Sequence, residues 1–194
     1  MKIFHMQGTG RMSRYISLLR GINITGHSLI KMTALVELYS YLGFQNIETY
    51  LQSGNVLFDS SLADTKKIAD TIEMEIKKKL GLNISVLIKT GSDLKKIIKN
   101  NPYLKKNSAV TEKFYVTLLF KKPKKELLDA INNITSGNDE YYINGDIIYL
   151  NCPDGYGRTK LNNNIFEKKL KVIATTRNWN TINKLLGLTE LEKQ

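Results

Sequence analysis

A chain of 194 residues, 42% hydrophobic and 24% charged, is long enough to bury a core without metal or disulfide staples. No apolar run approaches the roughly 18 residues that cross a bilayer, which excludes a membrane-spanning protein, and no membrane partner is expected. The single cysteine, Cys152, excludes an intrachain disulfide, so no oxidising compartment is needed.

Residues 1–10 carry basic and polar side chains where a signal peptide needs an apolar centre, so the expected location is cytoplasmic. Met12, just ahead of Ser13-Arg14-Tyr15 and a strand-like run, is read as the real start, with the residues before it an upstream extension or arm and residues 1–12 expected to be flexible. The net charge of +11 would ordinarily suggest a polyanionic partner. Only five of the 29 basic residues are arginines, however, and lysines scattered among asparagines and isoleucines also follow from codon composition alone.

In chain order, Tyr15 to Arg20 is short, apolar and bounded by Gly21, so it reads as a strand. Met32, Leu35, Val36, Tyr39 and Leu42 recur at helical spacing before Gly43. Ile47 to Leu51 and Asn55 to Phe58 are β-rich runs joined by Gln52-Ser53-Gly54, a hairpin signature. Ile68, Ile72, Ile76 and Leu80 mark a second helix ended at Gly81, and Ile84, Val86 and Ile88 alternate as a strand. A short helix near Ser92 to Lys99 follows, ended by Asn101-Pro102.

The pattern then begins again. Phe114, Val116, Leu118 and Phe120 alternate as a strand, and Pro123 suits a first helical position with Leu127, Leu128 and Ile131 behind it. Tyr141 to Ile143 and Ile147 to Leu150 flank Asn144-Gly145, a two-residue hairpin signal. Leu161, Ile165, Phe166 and Leu170 form a helical face, Val172 to Ala174 a short last strand, and Trp179, Ile182, Leu185 and Leu186 a closing helix stopped by Gly187. The expected fold is α+β, two tandem ferredoxin-like (βαββαβ) sandwich halves, the second with a weak last strand and an extra C-terminal helix. Residues 13–90 form the first half, 91–112 a connector with a short helix, 113–188 the second half and 189–194 a tail.

Three segments join an arginine or a carboxamide to a glycine or an element end, where free backbone N–H groups hold anions. They are Leu18 to Asn23, Leu51 to Asn55, and Gly157 to Thr181. With right-handed crossovers, the end of strand one lies beside the turn joining strands two and three, which places Arg20, Gly21 and Asn23 next to Gln52, Ser53 and Asn55. In the second half the exits of strands three and four share a rim, bringing Gly155, Gly157, Arg158 and Lys160 near Thr176, Arg177 and Asn178. If the two rims face each other, Arg20, Arg158 and Arg177 converge on a cleft between the halves, a common place for ligands.

Arg177 is expected in or just before the first turn of the last helix, where a cation is unfavourable and an anion, either ligand or internal carboxylate, should compensate. Asn23, Asn55 and Asn178 suit capping and turns as well as ligand contacts, and Trp179 suits the core. The glycine-rich stretch Cys152 to Lys160 departs from P-loop spacing. His5, His27 and Cys152 are too few for a zinc site, so no metal or cofactor is expected. Ser53 with His27 lacks an orienting carboxylate at a recognisable spacing, and no catalytic residue is assigned.

The combination of LLRGIN, KMTALVELYSYLGF, TYLQSGNVLF, GRTKLNNNIFEKKL and ATTRNWNTINKLL closely resembles the bacterial family called domain of unknown function 1697, over about Ser13 to Leu188. The resemblance implies a fold of ferredoxin-like halves and brings no established activity. It singles out Arg20 to Asn23, Gln52 to Asn55, Gly157, Arg158, Lys160, and Arg177 to Thr181. Ile24-Thr25-Gly26-His27 stands where the family often has a second glycine and a basic residue.

The resulting expectation is a protein that binds a phosphate- or carboxylate-bearing small molecule through Arg20, Asn23, Gln52, Ser53, Asn55, Arg158, Lys160, Arg177 and Asn178. A nucleic-acid-binding module is the alternative, weakened because Asn55 to Phe58 lacks the spaced aromatic pair on which RNA-recognition sheets stack bases. A purely architectural role for the blocks is the third reading.

Overall fold

The computed structural model describes residues 11–22, 29–50, 54–106, 111–131, 134 and 136–190. The chain divides into two compact units, one of residues 1–93 with 187–194, the other of residues 94–186. Each unit is built on a four-stranded antiparallel sheet, and the expected α+β architecture with two βαββαβ-like halves is what the chain adopts.

In the first unit β1 (Ser13–Leu19), β2 (Gln45–Tyr50), β3 (Asn55–Ser60) and β4 (Val86–Thr90) lie in the order β2-β3-β1-β4. The helices α1 (Met32–Tyr41) and α2 (Thr65–Leu80) cover one face. Tyr15, Leu19, Val56, Phe58, Val86 and Ile88 alternate onto that face and meet Leu35, Tyr39, Ile68, Ile72 and Ile76 in one core, as a period of two against a period of 3.6 requires. The α2 helix is bounded at both ends by local chemistry. The Asp64 carboxylate accepts the N–H groups of Lys66 and Lys67, and Gly81 closes the helix in the left-handed region at φ 70°.

The second unit repeats the arrangement. Here β5 (Phe114–Leu119), β6 (Glu140–Asn144), β7 (Ile147–Asn151) and β8 (Ala174–Asn178) lie in the order β6-β7-β5-β8. Leu119, Ile148, Leu150 and Ala174 pack with Phe166 and Leu170 of α6 (Asn163–Leu170). Tyr149, on the other face, donates its hydroxyl to the Ile97 carbonyl of α3 (Gly91–Lys99) at 2.9 Å. A single turn, α4 (Tyr103–Lys106), brings Tyr103 onto Phe114 at a ring separation of 5.8 Å.

Three elements depart from expectation. The helix expected from Pro123 is one turn long, α5 (Lys125–Leu128), because Ala130, Ile131 and Ile134 bond three residues back in tighter turns. The last strand is not Val172 to Ala174 but β8, whose boundaries are set by pairing with β5 from Leu119↔Ala174 to Tyr115↔Asn178. The closing helix α7 (Trp179–Glu190) runs through Gly187 instead of stopping there. A glycine inside a helix weakens it by only about 1 kcal/mol, which buried Ile182 and Leu185 readily offset.

The strand ends of the two units correspond in detail. In the first, Leu19 N–H donates to Gly54 O at 2.8 Å and Arg20 N–H to Ser85 O at 2.9 Å. In the second, Leu119 N–H donates to Asp146 O at 2.8 Å and Phe120 N–H to Ile173 O at 2.9 Å. The rim bearing Arg20 therefore has its structural counterpart at Phe120, not at Arg158 and Arg177.

Candidate functional site

Within the first unit, Arg20 leaves β1 half-buried beside the turn that joins β2 to β3. That turn needs a glycine. Gly54 sits at φ 76°, and a Cβ there would stand 2.8 Å from Ile22 Cγ1 and 2.9 Å from Leu19 Cβ. Asn55 is fully buried, pairs with Leu18 and donates its side-chain amide to the Tyr50 carbonyl at 2.9 Å, holding the neck of the hairpin. Its carboxamide thus serves the backbone. Asn23, Gln52 and Ser53 lie outside the described residues, as does His27.

In the second unit β7 and β8 end on either side of the start of β5, through the pairs Phe114↔Asn151 and Tyr115↔Asn178. The segment after β7 folds back there. Cys152 N–H donates to Lys113 O, Gly155 N–H to Cys152 O, and Arg158 N–H to Gly155 O at 3.1 Å. Tyr156 lies against Tyr115 with ring centroids 4.9 Å apart, and its hydroxyl donates to Thr176 Oγ1 at 3.1 Å. This anchors the segment carrying Gly157, Arg158 and Lys160 beside the exit of β8, with Arg158 and Lys160 exposed.

Thr176 is the hub of that anchor. Its hydroxyl donates to Asn163 Oδ1 at 2.7 Å, leaving its oxygen to accept from Tyr156 and from Thr117, 2.7 Å away. A hydroxyl has one proton and two lone pairs, so Thr117 must be the donor to Thr176. Burial raises the Tyr156 hydroxyl above its ordinary pKa, a shift that the Thr176 hydrogen bond partly opposes.

Arg177 points the other way. Adjacent strand residues face opposite sides of a sheet, so its side chain leaves the face opposite Thr176 and Tyr156. Its Nη1 donates to Thr175 Oγ1 at 2.8 Å and to the Thr176 carbonyl at 3.0 Å. Only 7% of the residue is exposed, and desolvation lowers its pKa to about 10, so the guanidinium is buried yet charged at neutral pH. It belongs to β8 and leans back along the strand, two residues ahead of α7, which agrees with the expected place in or just before the first turn of the last helix. Asn178 provides that helix start, its Oδ1 accepting the Thr181 N–H at 2.7 Å.

Sequence reasoning placed Thr176 on this rim and missed Thr117, Tyr156, Asn163 and Thr175. The available signal was the β-branched pair Thr175-Thr176 beside Ala174, a strand-like composition without apolar alternation. Cys152 is fully buried and its thiol is pushed up to about 11, chiefly by burial, so it is neutral and unreactive. Among the described residues no three His, Cys, Asp or Glu side chains gather as a metal site, and no helix is long and apolar enough to cross a membrane. A shallow groove of about 350 Å³ between α2 and the approach to β4, lined by Glu73, Met74, Lys77 and Ser85, holds none of the motif residues.

Residues 12–149 match the family described as "Protein of unknown function (DUF1697)". The chain belongs to this family. The match ends at Tyr149, ahead of the segments that carry Arg158 and Arg177. Among solved structures, the chain is similar to a conserved bacterial protein, SP0830 from Streptococcus pneumoniae, at 19% identity and a TM-score of 0.67. That likeness covers 93% of this chain and 100% of the other, and it carries the fold alone. No curated protein matches the chain by sequence.

Proposed function

We propose that this protein binds a small anionic ligand, phosphate- or carboxylate-bearing, with Arg20, Arg158, Lys160 and Arg177 as candidate charged donors. The observation that carries the reading is Arg177, a guanidinium kept charged at 7% exposure and oriented by Thr175 and Thr176. A desolvated, pre-oriented guanidinium gains more from an anion than a solvated lysine does, because its planar fork loses little freedom and the local dielectric is low. Arg158 and Lys160 add exposed charge on a segment that Tyr156 and Thr176 anchor.

The nucleic-acid alternative draws less support. Base stacking needs an open sheet face, and Ile16, Leu18 and Leu57 on one sheet and Val116, Leu118 and Tyr149 on the other are buried on the faces opposite their helical cores. The test is thermal shift against inorganic phosphate, nucleotides and sugar phosphates. A rise in Tm is expected, lost in Arg177→Ala and reduced in Arg20→Ala and Arg158→Ala while the variants stay folded. No shift across the panel, or equal shifts in all variants, overturns the proposal.

A further inference from the structure

The rim of the second unit that corresponds to the Arg20 rim of the first is a surface of lysines around an exposed isoleucine. Lys121 and Lys122 follow the exit of β5, and Lys124 precedes α5. Lys168 and Lys169 stand in the last turn of α6, and Lys171 caps that helix in the left-handed region at φ 56°. All six are exposed. They are brought together because Phe120 N–H donates to Ile173 O at 2.9 Å, which ties the exit of β5 to the approach to β8, and because α5 lies against α6. Ile173, 43% exposed, sits between Lys171 and the bonded Phe120.

Ordinary helix chemistry accounts for part of this. Lys168 and Lys169 complement the negative end of the α6 dipole. It accounts for neither Lys121, Lys122 and Lys124 nor an isoleucine presented to water among them. The acids nearby are Glu126, Asp129, Asp146 and Glu167, and Glu167 is engaged with the Ala174 N–H at 2.9 Å.

We infer that this rim docks on an anionic lipid surface, the ammonium groups meeting lipid phosphates and carboxylates while Ile173 enters the headgroup layer. Lysines without arginine or an exposed aromatic residue offer neither a planar fork of donors nor a stacking platform, so a nucleic acid would use the charge and leave Ile173 in water. A lipid interface uses both. Such docking needs no spanning segment, so it goes beyond the expectation of no membrane partner, which rested on the lack of one. It also stands apart from the small-anion proposal, since none of its residues is shared.

The experiment is sedimentation of the full chain with phosphatidylcholine vesicles with and without phosphatidylserine. Binding is expected only with phosphatidylserine and is expected to fall as salt rises. Each ammonium at such a surface is worth about a fivefold gain in partitioning, so Lys121→Glu with Lys171→Glu should lower it on the order of a hundredfold. Lys67→Glu with Lys77→Glu on α2 changes net charge equally and should lower it far less. Ile173→Ser should lower lipid partitioning roughly tenfold and leave binding to single-stranded RNA unchanged. No phosphatidylserine-dependent binding, equal losses in the two double variants, or indifference to Ile173→Ser would overturn the inference.

Discussion

Glu167 Oε1 accepts the N–H of Ala174 at 2.9 Å, at the first residue of an edge strand. The first unit does the same with Glu73, whose Oε1 accepts the Val86 N–H at 2.7 Å at the first residue of β4. Ala174 pairs with Leu119 and Val86 with Leu19, so the two carboxylates cap equivalent points of two sheets. An open edge invites pairing with another chain, and a helix-borne carboxylate on its outward N–H blunts it. Glu73→Ala and Glu167→Ala are each expected to destabilise the protein by about 1–2 kcal/mol, measured by urea unfolding. Glutamine at either position, which keeps an acceptor, is expected to lose less.

The Gly54 turn beside Arg20 is expected to be intolerant of any side chain. Gly54→Ala combines a left-handed backbone with contacts under 3 Å to Leu19 and Ile22, and Leu19 Cβ is too near the backbone to move aside. A loss of about 3 kcal/mol or more is expected. Gly21→Ala, with similar φ and nothing within 4 Å, should lose only about 1 kcal/mol. Equal effects in thermal melts would refute the packing argument.

Thr176 joins three partners through one hydroxyl, so Thr176→Val strands Asn163 Oδ1 and takes from the Tyr156 hydroxyl its acceptor. A loss of about 2–3 kcal/mol is expected, against about 1 for Tyr156→Phe. If the segment carrying Arg158 and Lys160 depends on this anchor, Tyr156→Phe should also raise amide exchange over residues 153–160. Unchanged exchange would show that the segment is held by other means.

Cys152 should resist thiol reagents at pH 8 in the folded protein and react on unfolding, because its buried thiol titrates near 11 instead of 9. The same shift makes stability sensitive to alkali. Above pH 9 the unfolded chain loses the Cys152 proton while the folded chain keeps it, so fewer protons are bound in the unfolded state and stability falls as pH rises. Past pH 10 the effect steepens, since burial raises the hydroxyls of Tyr39, Tyr103 and Tyr149, the last to about 12. Arg177, lowered to about 10, acts with the opposite sign over that range but is one group against Cys152 and these tyrosines. Tm is therefore expected to decline from about pH 9 upward, and a Tm that rises there would refute the burial of these tyrosines.

Much of the fold was legible. Gly43 and Gly81 closed helices, Asn144-Gly145 marked a hairpin whose two turn residues are Gly145, at φ 65°, and Asp146, and Ile68, Ile72 and Ile76 formed a buried stripe, because each signal acts within a few residues of itself. The elements that misled were those decided at long range. Thr175 to Asn178 has no apolar alternation, and it is a strand because β5 supplies its hydrogen bonds. Gly187 reads as a stop, and α7 continues because buried neighbours offset its backbone entropy.

By itself the sequence determined the order of strands and helices, the two-fold repetition of the pattern and the segments in which arginine and carboxamide side chains would stand. Tertiary structure alone decided what those side chains face: Asn55 and Asn178 each bond to the backbone, Arg177 turns away from the Tyr156 anchor, and the counterpart of the Arg20 rim is a lysine surface. The reason is parity and pairing. Which face of a sheet a residue takes depends on the register with a partner strand dozens of residues away, and a shift of one position reverses it.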